Sequence, residues 1–148
     1  MGTIYDDIAT AATSIAGELT RHGYHLDFSV ESLAEVDRFL DENSTPETAE
    51  SGSLLSDRLG QWLFALGSYS GEVVRHALGG RWRWEGADDD RAASTDTELV
   101  LPDGSIIWPL QRVWKRLMNG AEDSVAAWGR EMVAVIRSGD ESSTPGDR

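Results

Sequence analysis

The sequence predicts a single α+β domain of about five helices with a small three-stranded antiparallel sheet. Apolar residues recur three and four positions apart in segments at both ends and in the middle of the chain, the spacing of one buried helical stripe. Between Arg81 and Trp108 that spacing gives way to alternation and tight-turn residues, the pattern of short strands. At 148 residues, with 40% apolar content and six Trp, the chain has the size and composition of one ordinary globular core.

The first helix is expected from about Thr3 to Arg21, with Ile4, Ile8, Ala12, Ile15 and Leu19 on one face. After Gly23 an extended piece, Tyr24 to Phe28, leads to Ser29, a capping residue. Ser32 three positions on leaves the capping box incomplete. Leu33, Val36, Phe39 and Leu40 mark the buried face of a second helix. Residues 41–53, with Asn43, Pro46, Gly52 and several Ser and Thr, read as an exposed loop.

From Leu54 to Leu78 a third, long helix is expected around Leu55, Leu59, Trp62, Leu63, Leu66, Val73 and Val74. Gly60, Gly67 and Gly71 within it each cost up to about 1 kcal/mol relative to Ala, so close packing should compensate. Gly67 and Gly71, four apart, share a face on which another backbone can approach. Gly79-Gly80 ends the helix. Arg81-Trp82-Arg83-Trp84-Glu85 then alternates with strand period, placing both Trp rings on one side. Thr97 to Leu101 and Ser105 to Trp108 form two further strands joined by Pro102-Asp103-Gly104, a hairpin signal. Pro109 suits the first turn of a fourth helix with an apolar face of Leu110, Val113, Trp114 and Leu117, capped by Gly120. Glu122 and Asp123 favour the start of a fifth, with Val125, Trp128, Met132 and Ile136 inward. The domain is expected to span 1–137, and 138–148 reads as a disordered acidic tail.

Composition narrows the function classes. Without cysteine there is no disulfide, thiolate nucleophile or Cys-based zinc site. The start Met1-Gly2-Thr3-Ile4-Tyr5-Asp6-Asp7 lacks the basic and apolar regions of a secretory signal, and no run of about 20 apolar residues is present, so a cytoplasmic protein without membrane spans is expected. The net charge of −13 suggests an acidic mimic or a partner for a basic protein. Residues 41–53, 86–96 and 138–148 hold eleven acids against Arg91 and Arg148, nine of the thirteen excess charges, so the structured part is expected to be only mildly acidic.

Several catalytic patterns fail on chemistry. Gly67-Ser68-Tyr69-Ser70-Gly71 places Tyr69, not a serine, at the midpoint that a nucleophile elbow requires. His22, His25 and His76 lack a zinc-protease framework, and Asp88-Asp89-Asp90 lacks the alternating ligands, central Gly and terminal Glu of a calcium loop, so no metal site and no cofactor are expected. Gly79-Gly80 follows a helix rather than opening one, against phosphate cradling. Arg81 and Arg83 fall opposite Trp82 and Trp84, which favours core tryptophans over a nucleic-acid stacking platform.

Tyr69, Glu72, Arg75 and His76 lie three and four apart and form the strongest polar cluster. One reading is an intrahelical Glu72 pair with Arg75 or His76; the other is an orienting network beside Trp82 that binds a peptide, protein or small ligand. Tyr69, Glu72, Arg75, His76 and Trp82 are the candidate binding residues.

Leu26-Asp27 with Ser32-Leu33 and Val36-Asp37, Gly67-x-Tyr69-x-Gly71-Glu72-Val73-Val74, Gly79-Gly80-x-Trp82, and Pro109-Leu110 with Asn119-Gly120 together resemble an uncharacterised family of small bacterial α+β domains, over roughly Tyr24 to Trp128. Some similar small acidic proteins act as immunity or accessory proteins, so the resemblance implies a protein-binding role. The leading expectation is therefore a non-enzymatic protein-binding or accessory protein of the immunity-inhibitor type, whose acidic loops meet a basic partner. The alternative is a small-ligand-binding or enzymatic domain using the polar patch on the central helix. No motif selects an oligomeric state, and no nucleic-acid partner is expected.

Overall fold

The computed structural model describes residues 4–45, 48–49, 59–83 and 97–142. The expected helical residues 54–58, Trp84, Asp88 to Asp90 and the tail beyond Ser142 lie outside the described residues. Helix α1 spans Ile4–Arg21 and buries Ile8, Ala12, Ile15 and Leu19, the stripe that the spacing predicts. It closes when the amides of His22 and Tyr24 both donate to the Leu19 carbonyl, with Gly23 at φ 90° making the reversal that a side chain would resist. Extended residues 24–27 lead to a 3-10 turn, Val30–Ser32, at which the Ser29 hydroxyl accepts the Ser32 amide.

Helix α2 spans Leu33–Asn43 and buries Leu33, Val36, Phe39 and Leu40. It runs three residues into the segment predicted to be loop. The Asn43 amide donates to the Phe39 carbonyl and the Ser44 hydroxyl to the Leu40 carbonyl, satisfying acceptors that the last turn leaves open. Residues Ser44–Thr45 (β1) and Thr48–Ala49 (β2) then pair antiparallel, a second departure from the predicted loop.

Helix α3, Leu59–Leu78, is the central element: every residue from Leu66 to Val74 is buried, and α1, α2 and the helices Pro109–Asn119 (α4) and Val125–Ser142 (α5) all pack on it. A Cβ at Gly67 would lie 2.7 Å from the Leu110 backbone, and one at Gly71 would overlap the Trp82 ring. Close approach thus offsets the propensity cost at these two positions. Gly60 differs: it faces open space, and the close packing expected there is absent.

Strands β3 (Arg81–Arg83), β4 (Glu98–Val100) and β5 (Ile106–Ile107) form the predicted three-stranded antiparallel sheet. Trp82, Leu99 and Ile107 stand in register, and all are buried in a core with Ile8, Val74 and Leu110, while Arg83 pairs across the strands with Glu98. The alternation read from the sequence places Trp82 inward and Arg81 outward. The fold class is α+β, mostly helical.

Helix α4, Pro109–Asn119, starts on Pro109 and ends where Gly120 turns with φ 86°. Its buried face carries Pro109, Leu110, Val113, Arg116 and Leu117. Trp114 does not belong to that face. It lies about 100° around the axis from Val113 and is 40% exposed, whereas Arg116 is 3% exposed. Helix α5 runs Val125–Ser142 and so takes in the first five residues of the predicted tail, 138–142. Val125 is buried and Trp128, Met132 and Ile136 are half-buried as expected, but Ala126, Gly129 and Val133 face inward too. Among the described residues no helix is long and apolar enough to cross a membrane.

Candidate functional site

The five residues singled out by the sequence separate into two structural ties and one accessible edge. Glu72 is 5% exposed, and both of its carboxylate oxygens are engaged. Arg75 donates from Nε to Oε2 at 2.6 Å and from Nη2 to Oε1 at 3.0 Å, and the Trp82 indole donates to Oε2 at 2.8 Å. Burial pushes the Glu72 carboxyl up, but the hydrogen bonds from Arg75 and Trp82 outweigh it and hold the group below its ordinary value. The helix pair that the spacing predicts is present, and it doubles as the clasp that fixes the β3 tryptophan against α3.

Tyr69 points elsewhere. Its ring is fully buried, its hydroxyl accepts the Phe28 amide at 2.9 Å and bonds the Ser32 hydroxyl at 2.6 Å, and burial raises its pKa. It thereby anchors the 28–32 segment to the central helix. Phe28, held there, has φ 66°, a left-handed backbone that a bulky side chain resists by roughly 1–2 kcal/mol. Its ring packs on Tyr69 at 4.8 Å and stacks on His76 at 5.3 Å.

Of the five residues only His76 reaches an open groove, of about 610 Å³, between the 28–31 segment, α3 and α5. Phe28 and Val30 give the groove apolar surface, Arg130 and Arg137 give it cationic side chains, and His76 adds an imidazole. The spacing of Tyr69, Glu72, Arg75 and His76 placed them on one helix, but α3 is buried nearly all round, so its faces meet different neighbours. The Gly67 to Gly71 stretch lies inside α3, away from any strand-to-helix turn, and the Ser70 hydroxyl donates to the Leu66 carbonyl. Among the described residues no group of three or more His, Asp or Glu is arranged to hold a metal ion.

A second polar centre has no local signal in the sequence. Asp37 on α2 accepts the Val125 and Ala126 amides at 2.9 and 3.0 Å, the Ser124 hydroxyl at 2.7 Å and Arg116 Nε at 3.0 Å. It caps the start of α5 from another helix, while Arg116 also pairs with Asp41. Helices α2, α4 and α5 thus meet at one buried ion pair. Its partners are 79 to 89 positions apart in sequence, beyond the reach of spacing arguments.

The described residues carry seven of the thirteen excess negative charges, more than the loop-centred distribution expected from the sequence. Five of the seven arise between Asp27 and Glu42, where six carboxylates accompany one cation, Arg38. Asp27, Glu31, Asp41 and Glu42 are exposed. Two large aromatic side chains, Trp108 and Trp114, are 41% and 40% exposed at and within α4.

No model of a known protein family matches the chain, and neither a curated protein nor a solved structure matches it.

Proposed function

We propose that this is a non-enzymatic protein-binding or accessory protein that works in the cytoplasm and meets a partner bearing a basic surface. The observation that carries the reading is the acidic segment from Asp27 to Glu42, which has five net negative charges within 16 residues and leaves Asp27, Glu31, Asp41 and Glu42 exposed. A preorganised field of one sign accelerates encounter with a complementary surface and discriminates against acidic competitors. Trp108 and Trp114, exposed large rings, are the kind of side chain that anchors an interface once contact is made. Commitment of the Glu72 carboxylate and the Tyr69 hydroxyl to internal bonds supports the non-enzymatic side of the reading.

The test is a pull-down from the source cell's lysate at rising salt, comparing the wild type with an Asp41→Asn, Glu42→Gln variant and with neutralised Asp88, Asp89 and Asp90. The expected result is a basic protein whose recovery falls steeply between about 0.05 and 0.5 M salt, where screening shortens from more than 10 Å to a few ångströms, and falls again in a neutralised variant. Recovery that is insensitive to both salt and neutralisation, or no partner at all, argues against the proposal.

A further inference from the structure

The groove beside His76 has a charge opposite to that of the chain. Two arginines, Arg130 and Arg137, line it with one carboxylate, Glu31, in a protein of net charge −13. Arg130 and Arg137 are seven residues apart on α5, two turns along one face and about 10.5 Å along the axis. Arg137 has a structural duty, since its Nη2 donates to the Ala77 carbonyl at 3.4 Å near the end of α3. Arg130 is exposed and makes no ion pair or hydrogen bond among the described residues, so its donors are available.

The apolar side of the groove is formed by the Phe28 ring and Val30, over the buried Val73 and Val133. Phe28 is also the one described non-glycine residue with a positive φ. Backbone strain of that kind persists only where surrounding contacts enforce it, and here the Tyr69 hydroxyl and two ring contacts do so. The effect is to hold an aromatic ring at the rim, stacked on the imidazole. A volume of about 610 Å³ lies within the range of small-molecule sites, which join apolar walls to a few fixed polar groups.

We infer that the groove binds a small organic anion: a carboxylate joined to an aromatic or branched apolar body. The carboxylate sits at Arg130, the planar fork suited to two parallel hydrogen bonds, with Arg137 adding positive charge and the His76 ring a hydrogen-bonding edge. The apolar body lies against Phe28 and Val30. This site uses neither Asp41, Glu42 nor the exposed tryptophans, so its failure and that of the protein-partner reading are separable.

The test uses the full ¹⁵N-labelled chain titrated with 4-phenylbutyrate and, separately, with 4-phenylbutan-1-ol, which keeps the apolar body and removes the charge. For the acid, saturable amide shifts centred on Phe28, His76, Ala77, Arg130 and Arg137 are expected, with affinity about tenfold weaker for the alcohol, the factor that one charged contact readily supplies. Arg130→Gln is expected to weaken the acid by about tenfold and leave the alcohol unchanged. Because the acid and alcohol are compared on the wild type, the outcome does not depend on the variant folding. Equal affinity for acid and alcohol, shifts mapping outside the groove, or no saturable shift up to about 10 mM overturns the inference.

Discussion

Replacing Asp37 with Ala should destabilise the protein more than replacing the Arg116 that it pairs with, and the two costs should not add. In the wild type Asp37 accepts four hydrogen bonds, from Val125 N, Ala126 N, Ser124 Oγ and Arg116 Nε. Loss of the cap on α5 costs about 1 kcal/mol. Arg116, whose side chain is 4% exposed, then keeps Asp41, itself 59% exposed, and the residue-37 backbone carbonyl, and a guanidinium left partly unpaired in the interior adds about 2 kcal/mol, below the full value for breaking a buried pair. The sum is about 3 kcal/mol. Arg116→Leu leaves Asp37 with three donors and fills the space with an apolar chain, for a cost of about 1 kcal/mol. The double variant loses the cap but strands no charge, so it should lie about 2 kcal/mol above the additive value. Urea unfolding reads all four proteins. With a slope of about 2 kcal/mol/M the Asp37→Ala midpoint falls by about 1.5 M. A loss under about 1 kcal/mol for Asp37→Ala, or strict additivity, would refute the assignment of this pair as the joint of three helices.

Two further outcomes test the fold. Gly60→Ala, at a position facing open space, should raise the melting temperature through a gain of about 0.5–1 kcal/mol in helix propensity, whereas Gly71→Ala, whose Cβ overlaps the Trp82 ring, should lose about 1–3 kcal/mol or more; equal effects in a thermal melt would contradict the packing of α3 on the sheet. Acidification should destabilise the protein between about pH 5 and pH 2. The Arg38 guanidinium, hydrogen-bonded to Glu35, holds that carboxyl at about 2 against an ordinary 4.5, and Glu72 is also lowered. In that window the unfolded chain takes up protons that the folded one refuses, so stability is complete above the unfolded value and drains as pH falls toward the folded one. Melting followed by circular dichroism across the window checks the direction, and Glu35→Gln should flatten the dependence.

The parts of the fold legible in the sequence are those set by local periodicity. Ile8, Ala12, Ile15 and Leu19 announced α1, the alternation around Trp82 announced the inner face of the sheet, and Gly67 with Gly71 announced a close crossing. Errors came where a distant partner overrode local type. Trp114 reads as part of the buried face of α4 but looks outward, while Arg116 is buried because Asp37, 79 positions away, pairs with it. The end of α2 was hidden because Asn43 and Ser44, turn formers by composition, spend their side chains on helix carbonyls. Tyr69, Glu72, Arg75 and His76 all lie on α3 and the Glu72–Arg75 pair forms, but they make no single patch, since Tyr69 turns to the 28–32 segment. Which faces were buried depended on the elements around it, and the groove cations come from α5, more than fifty residues further on.

The same long-range joint sets a timetable for synthesis. Asp37 and the Ala126 amide are 89 positions apart, so at about 5–20 residues per second the start of the helix that Asp37 caps is synthesised on the order of 4 to 18 s after Asp37 itself. Throughout that interval Leu33, which lies against Gly129 in the finished protein, has no α5 to cover it. A nascent chain stalled before residue 124 should therefore display an apolar side of α2 to chaperones, and release from them should coincide with the emergence of α5.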